Sequence, residues 1–141
     1  MEIERAAGVL IFRKINDKIE YLILQASYPP YHWTPPKGHL DPGEDEWTAA
    51  LRETKEEANI SPEQYDIYKD FDYVMKYDVN GRPKTVRYYL GKLKNAESVT
   101  LSHEHQNSKF CQLEECIKLT GFPEMEDLLR KAQAYIDKNK I

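Results

Sequence analysis

The sequence predicts an α/β fold with a curved mixed sheet between helices, and three observations carry that prediction. Short β-rich runs recur along the chain, separated by turn signals. Two longer segments place their apolar residues at helical spacing. Those two helices stand at different points in the order, one among the strands and one near the end, which argues for helices on both faces of the sheet. A chain of 141 residues suits a single domain over 1–141, long enough to bury roughly two-thirds of its unfolded surface.

Ala6 to Ile15 is almost continuously apolar or small, as expected of a strand covered on both faces. Asn16-Asp17 is a turn signal, and Ile19 to Ser27 returns as the second strand of a central hairpin. Tyr28-Pro29-Pro30-Tyr31-His32 reads as a stiff aromatic loop, continued by Trp33-Thr34-Pro35-Pro36, because proline limits the backbone and cannot sit inside a sheet. Lys37-Gly38 and Pro42-Gly43 form a turn-rich lead into a helix over Glu46 to Ala58. Ser61-Pro62-Glu63-Gln64 starts one short helical turn. Tyr65 to Tyr77 and Lys84 to Leu93 are strands joined by the turn Asn80-Gly81-Arg82-Pro83. Val99 to Ser102 reads as a short strand and Phe110 to Leu113 as extended. One or two helical turns then run from Leu113 to Leu119, ending at Gly121. Glu124 to Lys138 is amphipathic, with Met125, Leu128, Leu129, Ala132, Tyr135 and Ile136 inward and cations at its C-terminal end.

The helix over 46–58 carries an electrostatic problem. Glu53, Glu56 and Glu57 stand at i, i+3 and i+4 and crowd one patch; like charges so placed cost roughly 0.2–0.5 kcal/mol per pair in an isolated helix. Trp47, Ala50, Leu51, Thr54 and Ala58 offer the side that packs, which leaves the acids accessible. A solvated acidic face is the plain alternative. Hard oxygen ligands facing a glycine-rich loop suit Mg²⁺ carrying phosphates.

Composition narrows the classes. A net charge of −4 and a pI near 5.6 argue against a protein that coats nucleic acid, so no stable nucleic-acid partner is expected. Cys111 and Cys116, the whole cysteine stock, lack the spacing of a disulfide framework or a zinc site, and read as reduced, core-lining thiols. No signal peptide or membrane-spanning run stands out. The expectation is a cytoplasmic, or also nuclear, monomer that does not enter membranes.

Gly38, Glu44 and the run Arg52-Glu53-Thr54-Lys55-Glu56-Glu57-Ala58-Asn59-Ile60 resemble the signature box of the Nudix hydrolases, G-x5-E-x7-R-E-U-x-E-E-x-G-U, U being bulky and apolar. Thr54 departs from the usual aliphatic residue. Asn59 replaces the second glycine, and Asn also takes the left-handed conformation that closes a helix. The resemblance implies an α/β/α sandwich. It also implies Glu53, Glu56 and Glu57 as metal ligands, the Gly38 carbonyl as a further one, and Mg²⁺, or Mn²⁺ in its place, as cofactor. Arg52 orients Glu53 and the loop. Glu57 is the first choice for general base and Glu104 the second; Glu104 also counts as a ligand. Its neighbours His103 and His105 are a weak zinc pair at best.

Beyond the box, QASYPPYHWTPPKGHLDPGEDEW, GRPKTVRYYL and LSHEHQ are similar to the animal-type asymmetrical diadenosine tetraphosphate hydrolases. On that reading a dinucleoside polyphosphate is the substrate. His32 and Lys37 contact its phosphates from one side and Lys84 with Tyr77 from the other, while Tyr28 and Tyr88 offer adenine platforms. The run QNSKF departs from the tryptophan-containing run of these relatives at Phe110 and leaves the hold on the distal adenine open. Two other readings compete. An RNA 5′-pyrophosphohydrolase would want an extended basic groove, and no Lys/Arg stripe is present. A non-catalytic nucleotide sensor would be favoured by loss of a box glutamate, and Glu53, Glu56 and Glu57 are all retained.

Overall fold

The computed structural model describes residues 3–95 and 105–141. Strand β1 (Glu4–Ile15) is the spine of the sheet. Its residues from Ala6 to Phe12 are all buried, because each face meets a different core. Ala7, Val9 and Ile11 point into one cluster, and Ala6, Leu10 and Phe12 into the other. Strand β2 (Lys18–Ala26) returns antiparallel after the Asn16-Asp17 turn and splits its side chains likewise, Tyr21 and Ile23 to one side, Leu22 and Leu24 to the other. Two short strands follow, β3 (Trp33–Thr34) on β2 and β4 (Lys37–His39) on β1. The long hairpin of β5 (Tyr65–Val79) and β6 (Arg82–Leu93) joins through a parallel β1–β6 ladder that starts at Glu4↔Lys84. Strand β7 (His105–Cys111) closes the other side against β2. The result is a mixed seven-stranded sheet.

Helix α1 (Glu46–Ala58) packs on one face of the sheet. Helices α2 (Leu113–Thr120) and α3 (Pro123–Asn139) cover the other. The α/β/α expectation holds, and most element bounds agree with the sequence reading. Asp45 caps α1 by accepting the Thr48 N–H at 2.7 Å, and Asn59 ends it with φ 56°, the left-handed closure expected of that residue. The Ser61 N–H donates to the Gln64 side chain at 2.7 Å and shapes the single turn before β5.

Four expectations change. The turn between β5 and β6 is only Asn80-Gly81, both at positive φ, so Arg82 and Pro83 already lie in the strand; an Asn-Gly pair closes a hairpin in two residues. Residues 33–34 and 37–39 are strands rather than loop, and Gly8 makes the second possible. A Cβ on Gly8 would overlap the Pro36 carbonyl oxygen and crowd Lys37, so only glycine lets β4 lie on β1 there. The extended stretch near Phe110 begins earlier, at His105. Cys111 and Cys116 are core-lining, as expected, but not reduced: their Cα atoms are 5.6 Å apart across β7 and α2, and the two are joined as a disulfide. That pairing withdraws the cysteine argument for a reducing compartment. The strand expected at Val99 to Ser102, with His103 and Glu104, lies outside the described residues. Among the described residues no helix is long and apolar enough to cross a membrane.

Candidate active site

Helix α1 is phased against the sheet by its small residues. Ala49, Ala50, Thr54 and Ala58 are buried, and Thr54 satisfies its hydroxyl on the Ala50 carbonyl at 2.8 Å. Trp47 and Leu51, expected on the packed stripe, are only half-buried; Trp47 meets the Tyr89 ring edge-on. This rotation separates the three glutamates that the sequence groups on one accessible patch. Glu57 turns inward and is 9% exposed, whereas the Glu56 side chain is 56% exposed. Glu53 lies between them, half-buried against β4.

Each carboxylate has a defined hold. Arg52 donates to both Glu44 oxygens at 2.8 Å, to Glu53 at 2.8 Å, to Glu56 at 3.1 Å and to the His39 carbonyl at 3.0 Å. A planar guanidinium is suited to this because its donors form a rigid fork. The Arg52 bonds, followed by the Asp41 N–H, hold Glu44 down to about 2, and Arg52 itself is raised by the same partners. Gly38 lies flush against Glu53: a Cβ there would overlap the carboxylate. Glu57 accepts the Lys37 backbone N–H at 2.9 Å, and its other oxygen lies 3.8 Å from His105 Nε2. Two loop–helix ties, Gly38 to Glu53 and Lys37 to Glu57, thus seat the β4 turn on α1.

Beside Glu57 opens a cavity of about 550 Å³. Tyr28, His32, Lys37, Tyr77, Lys84 and Tyr88, six residues singled out from the sequence, all line it. Lys84 and Lys37 repel each other, and burial together with that repulsion lowers the Lys84 ammonium from its ordinary range, against the pull of Glu4. His39 is lowered by burial and by the same two lysines. Such mutual repulsion marks a place that gains from an anion. Lys84 Nζ stands 5.9 Å from the Tyr77 ring centroid. Tyr28 is 64% exposed at the cavity mouth, whereas Tyr88 is 1% exposed and forms its floor, so only Tyr28 of the pair presents an open ring face. Phe110 is half-buried, with the Arg13 guanidinium 3.9 Å over its ring.

The carboxylates supply hard oxygen donors of the kind Mg²⁺ takes, and Gly38, having no side chain, lets the loop backbone lie against Glu53. The donor set therefore fits a divalent ion bearing phosphate. Among the described residues no three acidic or imidazole groups converge on one point. Glu104 lies outside the described residues, and Arg52 draws Glu53 and Glu56 together while Lys37 draws Glu57 aside.

Sequence reasoning missed His105 as a cavity residue, along with Phe122, Glu124 and Met125. His105 was visible only as half of a weak zinc pair. The other three belong to the start of α3, and nothing local in the sequence says that this end faces β5.

Comparisons with known proteins bear on the fold and the family. A bis(5′-nucleosyl)-tetraphosphatase (asymmetrical) from Caenorhabditis elegans is 59% identical over 132 residues, 94% of this chain and 96% of its own length. The mouse (Mus musculus) protein of the same name is 42% identical over 139 residues, covering 94% of this chain and 95% of its own. A crystal structure of a C. elegans Ap4A hydrolase binary complex superposes with a TM-score of 0.94 at 57% identity, over 96% of this chain and 99% of that one. Residues 3–132 match the NUDIX domain, and the chain belongs to that family.

Proposed function

We propose that the chain hydrolyses diadenosine 5′,5‴-tetraphosphate to ATP and AMP by direct attack of water on a phosphoanhydride, with Mg²⁺, or Mn²⁺ in its place, as the metal. The observation that carries this reading is one cavity in which a buried carboxylate, Glu57, shares the walls with Lys37, Lys84 and His32. A tetraphosphate brings about four negative charges, and a protein of net charge −4 needs such a local cationic wall to hold it. The names of the C. elegans and mouse relatives support the same substrate. Nudix hydrolases generally use divalent metal ions.

Glu53, Glu56 and Glu57, with the Gly38 carbonyl and Glu104, would hold the metal. Bound there, it would supply charge neutralisation on the phosphate oxygens. The chain's own groups do the rest. Arg52 positions Glu53 and ties the loop to the helix through the His39 carbonyl. The Lys37 N–H fixes one Glu57 oxygen, which orients the carboxylate to take a proton from the attacking water, with Glu104 as the second candidate for that proton. Lys37, Lys84 and His32 bind the phosphate chain, Tyr77 lies beside Lys84, and Tyr28 stacks on a base over the floor formed by Tyr88. The acidic balance supports the absence of a nucleic-acid partner, and a monomer is the state proposed; sedimentation velocity in the presence and absence of RNA tests both.

Product analysis tests the reaction. Diadenosine tetraphosphate, ATP and 5′-triphosphorylated RNA are each incubated with and without Mg²⁺. Equal ATP and AMP from the first alone is the expected outcome. Two ADP would shift the cut to the centre, turnover of the RNA would favour a pyrophosphohydrolase, and no turnover at all would leave a nucleotide sensor.

A further inference from the structure

The cavity beside Glu57 has a second charged group that phosphate binding does not use. Lys37, Lys84 and Glu57 come from β4, β6 and α1. The start of α3 contributes Phe122, Glu124 and Met125, and the alternate residues Met75, Tyr77 and Val79 of β5 line the cavity as well. Among these α3 and β5 residues Glu124 is the one carboxylate, and the Tyr77 hydroxyl is the other polar group. Glu124 is half-exposed, and among the described residues its side chain makes no hydrogen bond or ion pair. The backbone around it is fixed: the Tyr73 hydroxyl donates to the Glu124 carbonyl at 3.4 Å and to the Asp127 carboxylate at 2.7 Å, pinning the first turn of α3 to β5. The Glu124 charge also reaches Tyr77, whose phenol it raises after burial has done so. An acid in the first helical turn is ordinarily explained by the helix dipole. The dipole does not require that the acid face an apolar cavity, and Glu126 serves it equally from the same turn.

A carboxylate is acceptor-only. It repels phosphate, so it suits the part of a nucleotide that carries N–H donors. Resting on the reading of this cavity as a nucleotide site, we propose that Glu124 is a specificity-determining residue that accepts a hydrogen bond from the exocyclic amine of a bound base. Base and phosphates are then sorted along the cavity by charge. The lysines take the anionic chain, and Glu124 takes the amino edge of a base lying between Tyr28 and the α3 wall. An adenine offers this amine, and a purine without one leaves the acid facing an edge of acceptors.

Binding of nucleoside monophosphates by calorimetry tests this without turnover. The probes are AMP and purine riboside 5′-monophosphate, which differs only in lacking the amine, with inorganic tripolyphosphate as a third. Wild-type protein is expected to bind AMP about tenfold more tightly than the amine-free nucleotide. Glu124→Leu should reduce that ratio to within about twofold while tripolyphosphate binds at least as tightly as before. Glu124→Gln keeps an acceptor oxygen and should retain a preference of several fold, which serves if the leucine variant folds poorly. An unchanged ratio in the folded leucine variant, a ratio within about twofold in the glutamine variant, or equal binding of the two nucleotides by wild type, overturns the proposal. Failure of wild type to hydrolyse diadenosine tetraphosphate would instead overturn the reaction proposed above, since the binding ratio is read independently of it.

Discussion

The two helices that cover the sheet use their buried faces in opposite ways. Helix α3 buries Met125, Leu128, Leu129, Ala132 and Ile136, four of them large, against β1, β2, β5 and β6. Helix α1 buries three alanines, a threonine and a glutamate. Large side chains hold a helix by area removed from water, at about 25 cal/mol per Å². Small ones contribute little area but let the helix lie close to the strands, so that its neighbouring side chains are fixed by backbone rather than by bulk. The difference teaches where stability and chemistry reside. The face under α3 carries the larger of the two cores, and the face under α1 carries a helix placed accurately enough that Glu53 and Glu57 meet the β4 turn atom to atom.

The largest effect expected from that contrast is at Glu57. Glu57→Gln keeps the shape and one acceptor for the Lys37 N–H but removes the charge. Turnover of diadenosine tetraphosphate should fall by about a thousandfold, in the range a positioned acid–base group supplies, with the melting temperature unchanged or slightly raised by relief of like-charge repulsion. A collapse in stability with normal turnover by the folded remainder would make Glu57 a structural residue and erase the contrast.

The mirror experiment is on α3. Leu128 is fully buried in the larger cluster, and Leu128→Ala should cost about 2–5 kcal/mol of unfolding free energy. Its kcat at a temperature where it remains folded should match wild type. If kcat falls as steeply as stability, the two faces are coupled rather than divided in labour. Denaturant unfolding and initial-rate measurements on one preparation decide this.

The sequence made some of this contrast legible and hid the rest for physical reasons. Both helices could be bounded because their signals are local: the Asn59 closure of α1, and the apolar spacing of α3 with cations at its C-terminal end, lie within a few residues of what they determine. The phase of α1 could be read only in part: Ala50, Thr54 and Ala58 are buried as expected, and Glu57 turns inward against expectation. Trp47 and Leu51 are its most apolar residues, yet the alanines set its contact with β1, since close approach selects small residues rather than hydrophobic ones. The six cavity residues could be named from the resemblance, but their convergence depends on pairings between residues far apart in sequence, among them β4 on β1 at Gly8, which seats Lys37, and the parallel β1–β6 ladder, which seats Lys84 and Tyr88. The disulfide was hidden likewise, because five residues of separation say nothing until a strand and a helix fold it to bridging distance.

A smaller effect tests the accuracy of the α1 face directly. Gly38→Ala places a methyl group where the Glu53 carboxylate lies. The loop or the carboxylate must shift, and displacement on the order of 1 Å can cost about a hundredfold in rate. Stability should fall by only about 1–3 kcal/mol, as for other overpacked positions. Gly81→Ala gives the control, because Gly81 at φ 79° has nothing near its missing Cβ, so backbone strain alone is probed there. Equal kcat losses in the two variants would mean that the loss at Gly38 comes from general destabilisation and not from its approach to Glu53.

The smallest effect concerns the charge clasp on the same helix, and it separates the roles of Glu44 and Arg52. Glu44 is lowered from an ordinary 4.5 to about 2 by its bonds from Arg52 and then from the Asp41 N–H. A carboxylate whose folded pKa is depressed stabilises the fold above its unfolded value and loses that contribution as pH falls through the folded one. The clasp should therefore be complete at neutral pH and released between about pH 4.5 and pH 2. Arg52→Gln removes the first-ranked cause, and the Glu44 carboxyl signal, followed by ¹³C NMR, should titrate close to the ordinary range instead. The Glu44 and Glu53 arms of the clasp are part-buried, so the melting temperature at pH 7 should fall measurably. The rate should also fall, since Glu53 loses the guanidinium that positions it. A Glu44 titration unmoved by the substitution would assign its low pKa to the Asp41 N–H, and Arg52 would then act on the site through Glu53 and Glu56 alone.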